Sequence, residues 1–387
     1  MNKHKIIRIT TVPLSLYKLL DGQLNYINNY YEVIAISSPE EELVKFGQKE
    51  NVKTYGVKMT RRITPIADTL SIISLINIFI KERPSIVHTH TPKAGLVGMI
   101  AAKVTGVPNR FHTVAGLPLM ESKGLKKWIL VIVEKLIYKC STKIYPNSFG
   151  LRDFILKNNL LNNSKMKVLA NGSSNGINLE YFNPKHFNTN ASNNFRINLN
   201  ISKFDFVFIF VGRLVGDKGV NELVKSFIQL TKEKNNIKLI LLGNQEPRLD
   251  PLLNDTILEI CHNKNIISVG FQNDVRPYLA ISNVLVFPSY REGFPNAVLQ
   301  AAAMELPSIV TDINGCNEII KDGINGKIVR VKNTEEIKKS MKLMLNDVNY
   351  YNSLKSNCRK IIVEKYRREI VWDAILQEYN NCSSYEN

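Results

Sequence analysis

Residues 284–304, VLVFPSYREGFPNAVLQAAAM, decide the fold. The apolar run Val284–Phe287 predicts a short strand, and the alanine-rich run that ends at Met304 predicts a helix, because alanine has the highest helix propensity. Between them lies a turn that contains Gly293, and Pro295 stands where the helix would begin, a position that favours proline. A strand, a glycine-containing turn and a helix in this order leave backbone N–H groups at the helix start, where an anion can bind.

Glu292 stands just outside the predicted helix start. A carboxylate beside an anion site would repel the anion, because like charges at short range are unfavourable. We therefore interpret Glu292 as facing a neutral, hydroxylated group that is attached to the anion. A sugar on a diphosphate has this chemistry.

A second segment has the same organisation. The apolar run Phe206–Phe210 predicts a strand, and a helix is predicted from Lys218 to about Lys232. Between them, Arg213 offers a planar fork for phosphate oxygens, and Lys218 offers a point charge. Both lie at the carboxyl end of a predicted parallel strand, where open α/β sheets bind ligands. The two segments together predict a cradle for a nucleoside diphosphate that carries a sugar.

These motifs resemble a known family. Gly-Arg-(x)4-Lys-Gly at residues 212–219 and Glu-Gly-Phe-Pro-Asn at residues 292–296, with the alanine-rich helix, resemble the retaining family 4 glycosyltransferases, which are nucleotide-sugar enzymes of the GT-B fold. Residues 87–95 and 110–118 are similar to members that extend lipid-linked surface polysaccharides in bacteria. The resemblance covers nearly the whole chain. It implies an α/β fold with two doubly wound Rossmann-like domains that face each other across a cleft.

One position departs from the family pattern. The family carries two glutamates eight positions apart; here the first is Glu292, but the eighth residue after it is Gln300. In the family, the second glutamate holds the ribose hydroxyls of the nucleotide. The amide oxygen of Gln300 can still accept one hydrogen bond, but it carries no charge. We therefore expect Gln300 to bind ribose more weakly than the family glutamate does.

The resemblance implies a reaction. A hexosyl or N-acetylhexosaminyl group passes from a nucleoside diphosphate, with UDP expected, to a polyprenyl-diphosphate-linked saccharide with retention of configuration. Arg213 and Lys218 stabilise the departing diphosphate, Glu292 orients the sugar, and His112 lies near the sugar and the β-phosphate. No residue is a convincing covalent nucleophile, so same-face attack is favoured, with the departing phosphate taking the acceptor's proton. The implied catalytic residues are Glu292, His112, Arg213 and Lys218.

The resemblance also implies a donor site that several loops form. Gly22 is expected in the first βα connection, where a glycine lets the backbone approach the phosphate. The strand-to-helix region 271–275 would line the base pocket, and the backbone around residues 294–297 would hold the phosphate. The implied donor-binding residues are Gly22, Gly212, Arg213, Lys218, Phe271, Val275, Glu292, Gly293, Phe294, Pro295, Asn296, Ala297 and Gln300.

No metal and no cofactor are expected, because the donor is itself the substrate. His88 and His90 share a strand face and could bind a metal, but no carboxylate or cysteine lies near them in the sequence. The chain also lacks the Asp-x-Asp pair that metal-dependent nucleotide-sugar enzymes use. The positive end of a helix, together with Arg213 and Lys218, can neutralise the diphosphate instead.

Positive charge is concentrated in the first half of the chain. Residues 1–200 hold 27 Lys and Arg against 12 Asp and Glu, whereas residues 201–387 hold 24 against 22. This excess indicates an anionic partner, and nucleic acid, anionic lipid headgroups and a diphosphate-linked acceptor all qualify. The alternative is that the positive charge has no functional role, because chains rich in lysine and asparagine become basic through the base composition of their genomes. With the resemblance, we expect the partners to be a nucleotide-sugar donor, a lipid-linked saccharide acceptor and an anionic membrane surface, and no nucleic acid.

Three basic residues of the first half have two interpretations. Arg61, Arg62 and Lys93 either bind the acceptor's phosphates or lie solvated on the surface.

Residues 123–139 predict a basic, strongly apolar helix with Trp128 near its start. This composition is typical of a helix in a membrane interface, and a core helix with solvated lysines is the equal alternative. No signal peptide is expected, since the N-terminus leads directly into a strand-like run. No run has the roughly 20 apolar residues that would span a bilayer, and the five scattered cysteines suit a reducing compartment. We expect a cytoplasmic protein that associates peripherally with the inner face of the cell membrane.

Short apolar runs alternate with helical stretches along the chain, which predicts parallel sheets. A turn-like run rich in asparagine extends from Asn171 to about Asn200, and we place the domain boundary there. We expect an acceptor-binding domain at residues 1–185, a nucleotide-sugar-binding domain at 200–365, and a last helix at 366–387 that packs back on the first domain, as the resemblance implies. The predicted strands are Lys5–Thr10, Glu32–Ile36, Ile86–Thr89, Arg110–Val114, Lys143–Pro146, Lys167–Ala170, Phe206–Val211, Lys238–Leu242, Ile266–Val269, Val284–Phe287, Ser308–Thr311 and Lys327–Val329.

Two other functions remain open at this point. A nucleotide-sugar 2-epimerase uses the same fold, but it needs acid and base carboxylates and no acceptor site, and the basic first half argues against it. The other alternative is a non-catalytic partner that only binds a nucleotide sugar. It is suggested by Gln300, which stands where the family pattern has a glutamate.

Overall fold

The computed structural model describes residues 3–60, 64–120, 122–247 and 250–383. Arg61 and Arg62, considered above as phosphate ligands, lie outside them. Two units form: the first ends at Gly176 and resumes at Arg368, and the second runs from Ile177 to Arg367. The chain thus passes into the second unit early in the asparagine-rich stretch, ahead of residue 185. The backbone N–H of Ile177 donates to the carbonyl of Tyr366, which ties the entry and the exit of the second unit together.

The first unit is built on a parallel six-stranded sheet in the order β3-β2-β1-β4-β5-β6. Its strands are β1 (Lys5–Ile9), β2 (Glu32–Ser37), β3 (Lys53–Gly56), β4 (Ile86–Thr89), β5 (Asn109–Val114) and β6 (Lys143–Pro146). Its helices are α1 (Pro13–Leu20), α2 (Gln23–Asn28), α3 (Glu41–Glu50), α4 (Pro65–Glu82), α5 (Pro92–Val104), α6 (Gly124–Cys140), α7 (Phe149–Lys157) and, after the second unit, α16 (Arg368–Ser383).

The second unit repeats this plan with the strand order β12-β11-β10-β7-β8-β9, again all parallel. Its strands are β7 (Phe206–Val211), β8 (Ile237–Leu242), β9 (Ile266–Gly270), β10 (Val284–Phe287), β11 (Ser308–Thr311) and β12 (Gly326–Val329). Its helices are α8 (Thr189–Asn198), α9 (Val220–Thr231), α10 (Asn254–His262), α11 (Arg276–Ala280), α12 (Asn296–Ala303), α13 (Cys316–Ile319), α14 (Thr334–Asn346) and α15 (Val348–Lys365).

The predicted doubly wound α/β fold is confirmed, but in the first half one predicted strand is wrong and one strand was missed. Residues 167–170 form no strand: only Met166 makes an isolated bridge, to Ile144, and Ala170 has a left-handed backbone with φ of 47°, which ends the extended run. The edge strand β3 was not predicted. It is four residues long and only partly buried, so it lacks the apolar run by which central strands are recognised.

Each sheet is covered by helices on both faces. In the first unit, α4, α5 and α6 pack over one face, while α16 packs over the other against α2. The last helix buries Trp372 and Tyr379 in the core of the first unit. Its buried carboxylate Glu378 accepts from Lys143 and from Lys167, each at 2.7 Å, which anchors α16 to this unit. Within the described ranges, no helix is both long and apolar enough to cross a bilayer.

Candidate active site

The site in the second unit lies where the strand order reverses, between β7 and β10. The loop after β7, Gly212–Gly219, and the loop after β10, Pro288–Pro295, both leave the carboxyl edge of the sheet at this point. In open parallel sheets, this crevice is the expected ligand site. The two motifs that the sequence singled out therefore meet at one place.

Gly219 allows the two loops to approach. Its φ of 69° is left-handed, and a Cβ at this position would lie 2.1 Å from the carbonyl oxygen of Pro288. No other residue type fits so close to backbone. The N–H of Tyr290 also donates to the carbonyl of Asp217 at 2.8 Å, so the two loops are joined directly.

Each of the three cations in these loops is paired with a carboxylate. Lys218 forms a short ion pair with Glu292, and both side chains are mostly buried, at 14% and 16% exposed. Arg213 pairs with Glu246 at 2.8 Å, and Arg291 pairs with Asp217 at 2.8 Å.

Asp217 connects three loops. Its N–H donates to the Asp250 carboxylate at 2.5 Å, its carbonyl accepts from Tyr290, and its carboxylate accepts from Arg291. Burial raises the pKa of the Asp217 carboxyl, although Lys218 and Arg213 lower it. This residue thus fixes the position of its neighbour Lys218 relative to Glu292.

The start of α12 has no side-chain cap. Pro295 precedes the helix and has no side-chain acceptor that could cap the first N–H groups. The backbone before it is held in place: Phe294 is buried against the Tyr366 ring, and the Asn314 side-chain amide donates to the Glu292 carbonyl. Gln300 lies on α12 and is half-buried. Glu292 and the helix start therefore have a fixed geometry.

The remaining donor residues predicted in this unit line the loops beside the same edge. Gly212 directly follows β7, and Ala297 lies in the first turn of α12. Phe271 directly follows β9 and is 59% exposed, while its N–H donates to the side chain of Asn244 at 3.0 Å. Val275 directly precedes α11 and is half-buried. An exposed aromatic ring at a strand end suits the base of a nucleotide. The role of Phe271 in binding the base stays a prediction.

His112, which the resemblance implies near the sugar and the β-phosphate, lies within β5. It pairs with Thr89 two residues before β5 ends, and its ring lies against α5: a Cβ at Gly95 would be 2.6 Å from its Cε1 atom. Its Nδ1 atom is 2.7 Å from the Thr89 hydroxyl. Burial lowers the pKa of His112 to about 3, so the ring is neutral. These contacts are those of a core histidine.

Gly22 does not lie in the first βα connection, and that expectation is also wrong. It follows α1 and precedes α2, with a left-handed φ of 76°. Its N–H donates to the Glu50 carboxylate at 2.8 Å, and a Cβ would lie 2.9 Å from the Trp372 ring. The glycine is required here because the last helix packs closely on it.

The described part of the chain contains no group of three or more His, Cys, Asp and Glu side chains that could hold a metal ion. His88 instead bonds to Tyr379 at 2.7 Å and to Thr113 at 2.8 Å. The Lys93 side chain is only 8% exposed and is paired with Asp68 at 2.5 Å, so of its two interpretations the solvated one is wrong.

Sequence reasoning missed Asp217, Glu246, Arg291 and Asn314. Asp217 and Arg291 each adjoin a motif residue, so their place near the site could have been expected. Glu246 and Asn314 belong to other loops, and no local pattern marks either of them. Their roles depend on the folding of the sheet.

The architecture and the site define a class of protein. Two six-stranded parallel sheets of this topology form the GT-B fold of glycosyltransferases. The structure of the Anabaena protein HepE in complex with UDP and glucose aligns with a TM-score of 0.81, at 13% identity, over 97% of this chain and 99% of that chain. A sucrose-phosphate synthase from Thermosynechococcus elongatus aligns with a TM-score of 0.82, at 16% identity, over 99% of this chain and 100% of that chain.

The sequence relatives identify the family. The model of glycosyl transferases group 1 matches residues 192–361, and the glycosyl transferase 4-like model matches residues 17–148. The capsular polysaccharide biosynthesis glycosyltransferase CapM of Staphylococcus aureus is 33% identical over 98% of this chain and 98% of its own. A UDP-Gal:alpha-D-GlcNAc-diphosphoundecaprenol alpha-1,3-galactosyltransferase of Escherichia coli is 30% identical over 82% of this chain and 81% of its own. The chain belongs to the group 1 glycosyltransferases, which the motifs assign to family 4.

Proposed function

We propose that this glycosyltransferase moves a sugar from a UDP-sugar to a lipid-linked diphosphate saccharide, with retention of configuration, in the biosynthesis of a bacterial surface polysaccharide. The E. coli relative is named for a UDP-sugar donor and a diphosphoundecaprenol-linked acceptor, and the S. aureus relative for capsule synthesis. Both matching family models describe glycosyl transferases, and neither describes an epimerase.

The ion pair between Lys218 and Glu292 carries the proposal. A cation suited to a diphosphate and a carboxylate suited to sugar hydroxyls stand in contact beside the uncapped start of α12. Donor binding would replace this ion pair by two new contacts: Lys218 would bind the diphosphate oxygens, and Glu292 would bind the sugar hydroxyls. The pair supports this exchange because a mostly buried carboxylate needs a new polar partner when it loses its cation.

The proposed reaction forms one bond and breaks one. The acceptor hydroxyl oxygen attacks the anomeric carbon on the face that the diphosphate leaves, and the bond between that carbon and the phosphate oxygen breaks. The acceptor's proton passes to the departing phosphate. Arg213, Lys218 and the N-terminus of α12 stabilise the negative charge that develops on the diphosphate, and Glu292 holds the sugar in position. No metal takes part.

The first unit would bind the acceptor at an anionic membrane. α6 supports this part of the proposal because its two halves differ: all of its buried residues, Glu134, Ile137, Tyr138 and Cys140, lie in its second half, but Leu125 and Trp128 in its first half are 73% and 62% exposed. Lys123, Lys126 and Lys127 are exposed beside them. On α4, which packs on the other side of α5, the exposed apolar residues are Ile66, Leu70, Ile73 and Ile80. Apolar side chains and lysines together suit an interface with anionic lipid.

One assay tests the proposal and its alternatives. The protein is incubated with a panel of labelled UDP-sugars, with and without undecaprenyl-diphosphate-linked saccharide, and products are separated by mass. We expect labelled lipid only when the acceptor is present, with an unchanged rate in EDTA. Epimerised nucleotide sugar without acceptor would indicate the epimerase, and binding without any product would indicate a non-catalytic partner. Loss of transfer in EDTA that a divalent ion restores would contradict the metal-free mechanism.

A further inference from the structure

The loop that follows β7, residues 212–219, has neighbouring loops on both sides at the carboxyl edge of the second sheet. In the strand order, β7 lies between β10 and β8. On the side of β10, Lys218 contacts Glu292, to which the proposed function gives a role at the sugar. On the side of β8, Arg213 pairs with Glu246 at 2.8 Å. Glu246 takes no part in the proposed reaction, so its position requires an explanation.

Backbone hydrogen bonding fixes the position of this second ion pair. The N–H of Leu214, the residue after Arg213, donates to the carbonyl of Asn244 at 2.9 Å. Leu214 also forms an isolated parallel bridge with Gln245, the residue before Glu246. The two backbone segments that carry the charged side chains are therefore held side by side.

The ion pair leaves most of the Arg213 guanidinium free for a ligand. A guanidinium has five N–H donors in a rigid planar fork. The Nη1 atom of Arg213 donates to Oε2 of Glu246, and among the described residues its other nitrogens have no hydrogen-bond partner. Glu246 can therefore hold the guanidinium without occupying the donors that phosphate oxygens would take.

Neither stability nor charge explains why a carboxylate stands at this position. The Arg213 and Glu246 side chains are 44% and 35% exposed, and ion pairs between exposed side chains contribute little to the free energy of unfolding. The negative charge is also unfavourable for the proposed donor, because a carboxylate near a diphosphate repels it. What the carboxylate does provide is a fixed acceptor for the end of a long side chain.

A fixed acceptor favours ligand binding through the side-chain entropy of Arg213. A free arginine side chain occupies many rotamers, and this freedom is lost when its guanidinium binds an anion in one geometry. An ion pair that already restricts the side chain reduces the entropy lost on binding. Lys218 has less need of such a partner, because its side chain is mostly buried and its surroundings restrict it.

We propose that Glu246 is a positioning residue for the donor: it holds the Arg213 guanidinium so that the free N–H groups bind the diphosphate oxygens. The inference rests on the proposed function, which supplies the diphosphate as the ligand. It gives the two ion pairs of the site opposite behaviour. The pair of Lys218 and Glu292 opens when the donor binds, whereas the pair of Arg213 and Glu246 persists.

Two variants separate orientation of Arg213 from competition for it. In Glu246→Gln, the amide oxygen can still accept from Arg213, but the negative charge is lost. In Glu246→Ala, both the acceptor and the charge are lost. If Glu246 orients Arg213, the Gln variant keeps its affinity for UDP and the Ala variant loses affinity. If Glu246 instead competes with the diphosphate for Arg213, both variants bind UDP more tightly than the wild type does.

Calorimetry with UDP measures these affinities, and thermal unfolding gives the melting temperatures. We expect Glu246→Ala to weaken UDP binding on the order of 10-fold and Glu246→Gln to stay within about 3-fold of the wild type, with melting temperatures unchanged. Glu336→Ala is the matched control: it breaks an exposed ion pair with Arg330 in the same unit and should bind UDP as the wild type does. Tighter UDP binding in both Glu246 variants, or equal binding in all three proteins, would overturn the inference.

A double-mutant cycle tests whether the effect of Glu246 passes through Arg213. In the Arg213→Ala background, Glu246→Ala should change UDP affinity by less than about 2-fold, because no guanidinium is left to orient. An undiminished effect in that background would show that Glu246 acts on the loop and would overturn the inference. Absence of UDP binding to the wild type would overturn the proposed function and the inference together, whereas UDP binding that is equal in the wild type and both variants refutes only the role of Glu246.

Discussion

The two units share one topology and differ in what they place at the same point. In each, the strand order reverses between the first and the fourth strand of the unit. After the fourth strand, the second unit inserts eight residues before the next helix, whereas the first unit inserts only two. The longer loop carries Arg291 and Glu292 and pairs them with charges of a neighbouring loop. The short connection of the first unit carries His90, whose partner is the buried Arg8.

This difference shows that the sheet determines where a ligand binds, while the loop determines how it is held. The long loop has room for charged side chains that reach one another, which suits the diphosphate and the sugar of the proposed donor. The short connection of the first unit, His90 and Thr91, carries no acidic or basic side chain other than the buried His90.

Replacing Glu292 gives the largest expected effect. Glu292→Gln should lower kcat for transfer on the order of 1,000-fold, because it removes the charge that faces the sugar, with UDP affinity and melting temperature unchanged. Steady-state kinetics and calorimetry measure these quantities. Glu233→Gln, which removes a surface carboxylate of the same unit that pairs with Lys338 and Lys342, is the matched control. Normal turnover in Glu292→Gln would show that the donor pocket is assigned wrongly.

Arg213→Ala and Lys218→Ala should each cost about 2–4 kcal/mol of transition-state stabilisation, seen as a fall in kcat of roughly 30- to 1,000-fold. Arg330→Ala is the control, since Arg330 forms a similar ion pair with Glu336 at an exposed place in the same unit. If both variants changed only KM, these cations would bind the donor equally in the ground state and the transition state.

Replacing His112 tests whether the first unit contributes a catalytic residue or only binds a substrate. His112→Gln should lower the free energy of unfolding by about 1–3 kcal/mol, because it disturbs a buried ring that bonds to Thr89. At 25 °C its kcat should stay within about 3-fold of wild type. Denaturant unfolding and steady-state kinetics give the two values. A 100-fold fall in kcat without loss of stability would restore the catalytic role that the family resemblance implies.

The surface of the first unit should bind anionic membrane in a salt-dependent way. Lys123→Glu, Lys126→Glu and Lys127→Glu together should release the protein from vesicles that contain anionic lipid, because each basic residue near such a surface contributes about 1 kcal/mol. Co-sedimentation at low and high salt measures this, and UDP binding should not change. The same charge reversal at Lys232, Lys234 and Lys264, which are exposed in the second unit, is the control. Equal binding to neutral and anionic vesicles would contradict the prediction.

The smallest effect is expected at Gln300. Gln300→Glu restores the family pattern, and a charged acceptor strengthens a hydrogen bond to a ribose hydroxyl. UDP affinity should rise by up to roughly 10-fold or stay level, as measured by calorimetry. A marked fall would mean that Gln300 faces something other than the ribose.

Sequence reasoning worked better for the second unit than for the first. All six strands of the second unit were predicted, because central strands such as β7 and β10 are continuous apolar runs, each followed by a glycine-containing turn. In the first unit, the errors fall on β3, an exposed edge strand, and on residues 167–170, which look like a strand but follow only one isolated bridge. A local apolar pattern in the sequence indicates a buried strand, so prediction from that pattern fails where a strand is only partly buried.

The sequence by itself determined the fold class, the family and the two motifs of the donor site, because strand and helix periods and turn residues are local properties. Only the tertiary structure decided which groups meet. Lys218 and Glu292 are 74 positions apart, and Arg213 and Glu246 are 33 apart, so their pairing depends on the order of the strands in the sheet. The same is true of His112, whose buried contact with Thr89 depends on the pairing of β4 and β5, and of Arg8 and His90, 82 positions apart, which become partners only when β1 and β4 lie side by side.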